Sequence, residues 1–542
     1  MIKKYYKIII TVSLVAIALC GCSKTTNLSK EEITAMDKKL FYSNTNSVGG
    51  ADPFVTYIED GEYGNKFYMY ATTGALSTKG FYVYESTNLT KWNMIDTAFE
   101  ADASTWCTSK LWAPEVVYDE EDGAYYMFYS AQWGDMTYGL YISVAVSDNP
   151  VGPFREYSDN YKSMKEPLIN FEENYNRVPE SLRSDLVGYT GKKGFIKVID
   201  ASPFIDPVTN KKYLFFVADI GTDYTENSFV MAMEMADWKT PIYETLTRIT
   251  EFGLTTVGGD EVIYEGGKTN EGPSVYYHNG KYYLTFSTFT YYTVDYQVRQ
   301  AVSDSVLGPY TKIQPNDGGT VISTSESNVR QSAGHSCFFE VGDELWLAYH
   351  TLANDRNIDD GRKPAVDRLV FIKNKDGLEV LQANGTTSTL QPLPEKISGY
   401  KNVALNASVE CENAISDVAL LHDSLIPLRK VSAAKDCRID AGKSTIKITL
   451  DGYYDIGAVM IYNSINEDMQ FKSIDSIELK GKGNNNKFVN LVFESNVDSA
   501  NKKVVYDKAL IVESSATSVN EITIKINSDE AFAIGEIIIL GK

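Results

Sequence analysis

Apolar and polar positions along the chain fall into one unit that recurs five times. A small residue, in most copies with a proline close behind it, opens an apolar strand; a charged turn follows, then a strand dense in aromatic residues. The openings are Ala51-Asp52-Pro53-Phe54, Trp112-Ala113-Pro114-Glu115, Asp200-Ala201-Ser202-Pro203, Glu271-Gly272-Pro273-Ser274 and Gly334-His335-Ser336-Cys337. The answering strands include Phe67-Tyr68-Met69-Tyr70, Tyr125-Tyr126-Met127-Phe128-Tyr129 and Leu345-Trp346-Leu347-Ala348-Tyr349-His350. Short strands recurring at several tens of residues predict a β-propeller, because no single blade buries both of its faces alone. A second repeat runs from Val146-Ser147-Asp148 to Gly152-Pro153-Phe154 and, with the same spacing, from Val302-Ser303-Asp304 to Gly308-Pro309-Tyr310. These segments predict matching turns at blade edges.

The pattern changes after residue 381. Asn384-Gly385-Thr386-Thr387-Ser388 and Gln391-Pro392-Leu393-Pro394-Glu395 mark a boundary. Beyond it, segments such as Ser444 to Leu450 and Glu521 to Ile526 alternate apolar and polar residues between Asn, Asp and Gly turns, which predicts a β-sandwich. The expected fold class is therefore all-β: a five-bladed β-propeller at residues 48–394, then a C-terminal β-sandwich at 395–542. All six tryptophans precede residue 350, so the sandwich has no Trp platform for a sugar. Its stretches Ile456 to Asn463 and Ile534 to Ile539 resemble the galactose-binding, discoidin-like sandwiches, which implies either an accessory sugar-binding role or a supporting one.

At the N-terminus, Lys3, Lys4 and Lys7 precede an apolar run from Ile8 to Leu19, the pattern of an export signal. Leu19-Cys20-Gly21-Cys22 resembles a bacterial lipobox with Cys22 as the lipidated residue, although Cys20 stands where Ala or Ser is usual. Residues 1–21 then form a lipoprotein signal peptide and 22–47 a polar tether, holding the protein at the outer face of a membrane, on the cell surface or in the periplasm. With 72 acidic and 51 basic residues the net charge is -21, which argues against nucleic acid or an anionic lipid surface as partner. A neutral or diffusible substrate fits this charge better. Past the leader the cysteines are Cys107, Cys337, Cys411 and Cys437, with no C-x-x-C spacing to suggest zinc. Cys411 and Cys437 are either a disulfide or two buried thiols, and Cys337 is expected to pack.

Asp52, Asp200 and Glu271 interrupt apolar runs at repeat openings, where a carboxylate is costly unless a site uses it. One such acid is explained as a turn cap. Three on strands that converge on one axis point to a shared site. Gly50-Ala51-Asp52-Pro53-Phe54, Trp112-Ala113-Pro114-Glu115, Asp200 to Asp206, Asn270-Glu271-Gly272-Pro273, Ser86 to Trp92 and Gly334-His335-Ser336 together resemble glycoside hydrolase family 43 over residues 48 to 381.

That resemblance implies inverting hydrolysis of a glycosidic bond. Asp52 would be the general base, Glu271 the general acid, and Asp200 the residue that keeps Glu271 protonated and oriented. An inverting pair stands roughly 6.5–9.5 Å apart to admit a water. Phe54, Trp106, Trp112, His335 and Arg368 are the candidate substrate-binding residues; the three aromatic ones are otherwise blade core, and Arg368 is otherwise a salt-bridge partner. His335 is also the candidate for a central cation, often calcium in the family and often reached through water. The expected activity is exo-acting α-L-arabinofuranosidase on arabinose- or xylose-containing plant cell-wall polysaccharide, with β-xylosidase or endo-arabinanase as alternatives. A surface glycan-binding lipoprotein without turnover is the alternative of another class. The insertion from Met164 to Lys193 is expected to wall the pocket.

Overall fold

The computed structural model describes residues 39–45, 47–72, 80–101, 106–133, 139–156, 166–184, 197–219, 228–250, 269–326, 329–353, 361–429, 434–493 and 505–542. The signal peptide, Cys22 and most of the expected tether lie outside the described residues.

Five antiparallel blades follow one another along the chain. Blade 1 comprises Ala51–Ile58, Lys66–Thr72, Gly80–Ser86 and Asn93–Glu100; blade 2 comprises Cys107–Asp119, Ala124–Trp133, Leu140–Ser147 and Arg155–Glu156. Blade 3 is built from Lys197–Ile205, Lys212–Asp219 and Ser228–Asp237 with short outer strands, and blade 4 from Glu271–His278, Lys281–Thr288 and Gln297–Ser303 likewise. Arg330–Val341, Glu344–Ala353, Arg362–Lys373 and Glu379–Ala383 make blade 5. The two Gly-Pro segments sit at corresponding places, after the third strands of blades 2 and 4.

The aromatic strands lack polar alternation because each is the second strand of a blade with both faces buried. Phe67 and Met69 face blade 5, whereas Tyr68 and Tyr70 face blade 2. Met127 and Tyr129 face blade 1; Tyr126 and Phe128 face blade 3. The same division continues around the ring, with Tyr213 and Phe215 against blade 4 and Leu347 and Tyr349 against it from the other side. At the hairpin of blade 4, Asn279 and Gly280 take φ of 48° and 82°, the left-handed pair that a two-residue turn between twisted strands requires.

Blades 1 and 5 are separate sheets, so side chains and a strap close the ring. Phe41–Tyr42 pairs antiparallel with Gln391–Pro392. Behind it, buried Asp367 accepts from Tyr42 Oη (3.0 Å), Tyr349 Oη (2.5 Å), Thr387 Oγ1 (2.6 Å) and the Thr387 amide (3.2 Å). The Asn44 side chain brackets Val366, donating to its carbonyl and accepting from its amide, both at 2.9 Å. The tether reading thus fails from Leu40 onward: Leu40-Phe41-Tyr42 is an apolar triplet within a polar stretch, and it is buried.

In the C-terminal unit, Gly442–Asn463 and Ala509–Ser528 pair along most of their length, with register breaks between Thr449 and Ala458 that let each strand serve two layers. An aliphatic core lies between the layers. Leu40 and Phe41 pack with Ile426, Leu428, Ala458, Met460, Tyr462 and Leu540, so the core runs across the boundary placed at residue 394. Cys411 and Cys437 are free thiols. Within the Met164 to Lys193 insertion, Ile169, Phe171 and Val178 of the described residues 166–184 pack into the core between blades 2 and 3. The remainder lies outside the described residues.

Asp367→Ala strands four donors drawn from the strap, blade 5 and the linker. It should lower unfolding stability by about 3 kcal/mol or more, measured by urea denaturation. A change below about 0.5 kcal/mol, the usual range for an unimportant surface site, would show that this hub does not hold the strap.

Candidate active site

Each inner strand carries one extra residue at the same level of the axis. The pairings Ala51 with Thr72 and Phe54 with Tyr70 leave Asp52 and Pro53 opposite a single residue. Identical breaks follow Trp112, Ile199, Glu271 and Gly334, whose partners are Ser130, Val217, Ser287 and His350. A bulge of this kind redirects a side chain. At all five, the first residue of the bulge has positive φ: Asp52 50°, Ala113 47°, Asp200 57°, Gly272 55° and His335 50°. Such a backbone costs about 1–3 kcal/mol per non-glycine residue, and hydrogen bonds hold it. The amides of Ala113, Asp200 and His335 donate to Thr72 Oγ1 (2.7 Å), Ser130 Oγ (3.0 Å) and Ser287 Oγ (2.7 Å) of the preceding blade. Asp52 donates to His350 Nδ1 at 3.2 Å, and Gly272 to Asp200 Oδ2 at 3.1 Å.

The bulges bring Asp52, Asp200 and His335 together, with His335 Nδ1 3.3 Å from Asp52 Oδ1 and 3.9 Å from Asp200 Oδ2. Glu271 stands one residue earlier in its repeat than the two aspartates and reaches the site from the neighbouring register. Tyr296 donates to Glu271 Oε1 at 2.8 Å, and its ring stacks on His350 with centroids 5.7 Å apart. Two glycines make room. A Cβ on Gly334 would lie 2.0 Å from the Tyr296 ring, and one on Gly272 would lie 2.9 Å from the His335 ring.

Asp52 and Asp200 occupy equivalent positions but are biased in opposite directions. Burial disfavours the charge on Asp52, yet Arg362, with His335 after it, outweighs burial and holds its carboxyl well below the usual range. Arg362 Nη1 lies 2.8 Å from Asp52 Oδ1, and Thr72 Oγ1 donates to Oδ2 at 2.8 Å. Burial raises Asp200, with the charge of Asp52 adding to it; His335 and the Gly272 amide oppose the rise. Burial and Arg362 push His350 down to about 3, so the ring is neutral and its Nδ1 accepts the Asp52 amide. The same nitrogen lies 3.3 Å from Asp52 Oδ1, but with the amide proton directed at it this contact is not an ion pair.

Of the other expected residues, Trp112 stands at the ring position before a bulge, half-buried against Leu140, Ile199 and Val217. Phe54 is half-buried against Tyr70, with ring centroids 6.3 Å apart. Two readings need correction. Trp106 is core: it is buried and donates Nε1 to Tyr129 Oη at 2.9 Å. Arg368 binds Glu344 at 2.8 Å beside Trp346, at the hairpin end of blade 5. Arg362 begins the same strand six residues earlier, about 20 Å away at strand rise, and Arg362 is the guanidinium that meets Asp52. Sequence reasoning also missed Thr72, Tyr296 and His350; the available signal was the matched placement of Thr72 and His350 on second strands opposite the repeat openings, whereas Tyr296, just before the third strand of blade 4, carried none.

A hard cation needs six or more oxygen ligands. The carboxylates nearest His335 are already bonded to Arg362, Thr72 and the Gly272 amide, and among the described residues no group of three His, Cys, Asp or Glu could hold a metal. The residues around His335 do not fit a directly coordinated calcium. Cys337 packs as expected, with burial raising its thiol above the usual range and the Val55 amide directed at Sγ.

Glu115 adds a further buried acid to the axis. Burial pushes it up to about 8, opposed by a hydrogen bond to Ser202 and reinforced by the charge of Asp200. An unfolded glutamate releases its proton near pH 4.3. Between that pH and about 8 the folded state binds the extra proton, so this group makes stability fall as pH rises through the window. Glu115→Gln removes the titration and should make the decline of Tm from pH 5 to 8 shallower. An unchanged slope would mean that Glu115 is ionised in the fold.

The model of glycosyl hydrolases family 43 matches residues 45–170 and 185–377. Beta-D-galactofuranosidase xynD of Aspergillus niger is 24% identical over 370 residues, 64% of this chain and 88% of that protein. A thermostable family-43 glycoside hydrolase of known structure aligns with a TM-score of 0.50 and 28% identity, covering 65% of this chain and 99% of its own. An endo-1,4-beta-xylanase from Bacteroides thetaiotaomicron aligns with a TM-score of 0.47 and 27% identity, over 64% of this chain and 97% of its own. The family match takes in the five blade openings and stops before the sandwich. With its five-bladed propeller and its carboxylates gathered at the axis, this chain belongs to glycosyl hydrolases family 43 and is a glycoside hydrolase.

Proposed function

We propose that the protein is an inverting, exo-acting α-L-arabinofuranosidase of plant cell-wall polysaccharide, with Asp52 as general base, Glu271 as general acid and Asp200 as the residue that keeps Glu271 protonated. The observation that carries this reading is the opposite bias of two aspartates at equivalent positions, one held ionised and one raised. The lowered carboxyl suits Asp52 as the proton acceptor, and the raised one sets Asp200 apart as the residue that acts on Glu271 and not as a second base. Asp52 then takes a proton from the water that attacks the anomeric carbon, while Glu271 gives one to the departing oxygen. Tyr296 donates to Glu271 Oε1, which makes that oxygen the acceptor and puts the transferable proton on Oε2. Glu271, Tyr296, His350 and the Asp52 backbone form one contiguous set of contacts: the Tyr296 hydroxyl meets Glu271, its ring stacks on His350, and His350 Nδ1 accepts the Asp52 amide.

Tyr291 and Tyr292 form an exposed pair with centroids 5.3 Å apart, and the Arg362 guanidinium lies 4.5 Å from the Tyr291 ring centroid. An aromatic surface next to the partner of Asp52 suits stacking on a sugar ring. A furanose is favoured because the Aspergillus niger relative is named for a β-D-galactofuranoside. That ring has the stereochemistry of α-L-arabinofuranose and differs by an extra exocyclic carbon. β-D-Galactofuranoside is therefore the second reading. We also propose a lipid anchor at Cys22 that holds the enzyme at the outer face of a membrane.

Turnover of aryl α-L-arabinofuranoside, β-D-galactofuranoside and β-D-xylopyranoside tests the substrate. Arabinofuranoside is expected to be fastest, and xylopyranoside alone would overturn the furanose reading. Internal cleavage of arabinan would establish the endo-acting alternative, and glycan binding without any turnover the non-catalytic one. Asp52→Asn and Glu271→Gln should each lower kcat by about 10²–10⁴. An activated leaving group should partly restore Glu271→Gln and leave Asp52→Asn impaired; equal losses on both substrate types would remove the role assignment. NMR of the first-formed sugar should show inversion. Cys22→Ala should leave the membrane fraction, and its retention there would exclude the anchor.

A further inference from the structure

Blades 1 and 3 present the same residue at the same bulge, with φ of 50° at Asp52 and 57° at Asp200. Their carboxylates are nevertheless bonded differently, and the difference traces to one position on the second strand. In blade 1 that position is Thr72, the register partner of Ala51; in blade 3 it is Val217, the partner of Ile199. Thr72 Oγ1 accepts the Ala113 amide at 2.7 Å and contacts Asp52 Oδ2 at 2.8 Å. An amide only donates and a hydroxyl has a single proton, so that proton goes to Asp52. The relay requires Asp52 to be an acceptor, which is the state of a base.

Val217 is fully buried against Leu140 and Ile199 and has no hydroxyl to offer. It breaks the rule of the ring: Thr72, Ser130, Ser287 and His350 each take a bulge amide of the next blade, whereas the corresponding Gly272 amide has no such partner at Val217. It turns instead to Asp200 Oδ2 at 3.1 Å. Gly272 directly follows Glu271, so this bond ties the Asp200 carboxylate to the peptide that joins them.

We propose that Thr72 and Val217 are positioning residues: the Thr72 hydroxyl keeps Asp52 an acceptor, and its absence at Val217 lets Asp200 bond directly beside Glu271. This inference rests on the acid and base assignment above. Both residues act through the aspartates and neither is required to touch substrate.

Thr72→Val keeps the shape and removes the donor to ionised Asp52. The acid limb of kcat/KM should move up by about one pH unit, the scale of one hydrogen bond to a charged group, with the alkaline limb unchanged. Thr72→Ser keeps the hydroxyl and should restore the acid limb. Val217→Thr supplies the missing hydroxyl, which takes the Gly272 amide and hands its proton to Asp200. That bond holds Asp200 as an ionised acceptor, as Thr72 holds Asp52, and a charge beside Glu271 keeps its proton on, so the alkaline limb should move up while the acid limb stays. Asp52→Asn and Glu271→Gln, measured in the same assay, separate the two ideas. If either stays fully active, the acid and base assignment falls. If both are impaired but Thr72→Val leaves the acid limb in place, or Thr72→Ser shifts it equally, the positioning role is overturned. Failure of Val217→Thr to move the alkaline limb overturns the half that concerns Asp200, and that arm stands independently of whether the Thr72 variants fold.

Discussion

Burial on both faces of every second strand is the constraint from which the molecule follows. Because Tyr68 and Tyr70 fill the wedge toward blade 2 while Phe67 and Met69 fill the one toward blade 5, no blade can be removed without exposing two aromatic layers. The ring must therefore close, although its first and last blades share no sheet. Closure rests on the apolar layer between blades 1 and 5, the Gly50 amide on the Arg362 carbonyl, the Arg362–Asp52 ion pair, the Asp52 amide on His350, the Val55 amide on Cys337 Sγ, and the strap that meets Asp367. Function and ring closure thus meet in blade 1, where Asp52 both joins the last blade and carries the lowered carboxyl.

Convergence on the axis also creates the electrostatic problem that the site exploits. Asp52, Asp200 and Glu115 are all buried on inner strands, and like charges so placed cannot all ionise. Arg362 settles the distribution by meeting Asp52, which leaves Asp200 raised and Glu115 protonated to about pH 8. Positive φ at four non-glycine residues is the conformational cost of aiming these side chains inward, and inter-blade hydrogen bonds offset it. The ring holds the bulges rigid, so proton positions are set before a substrate arrives.

The Leu40 to Asn44 strap and the sandwich extend the same logic beyond the propeller. A core that includes Leu40, Phe41, Tyr462 and Leu540 means that the two units stabilise each other across the linker. The accessory unit has no tryptophan, but it shares the apolar surface that covers the closure of the ring.

Much of this was legible in the chain itself. The five openings and their aromatic partners are local patterns, and a strand that buries both faces has to be written in consecutive apolar residues, so blade number and the positions of Asp52, Asp200, Glu271 and His335 could be read directly. The second Gly-Pro repeat was equally local. What the sequence could not decide was which residues on other strands meet those acids. Arg362 and Arg368 sit on one strand and look alike as text; only the pairing of Leu352 with Arg362 puts the former at the axis and leaves the latter with Glu344. Trp106 offered an aromatic ring near an opening, and tertiary packing turned it into core. The single-residue offset of Glu271 and the contrast between Thr72 and Val217 depend on register across a bulge, which no periodicity encodes. Local pattern determined the blades because burial acts residue by residue along a strand; the protonation of the site was decided by charges brought together from strands hundreds of residues apart.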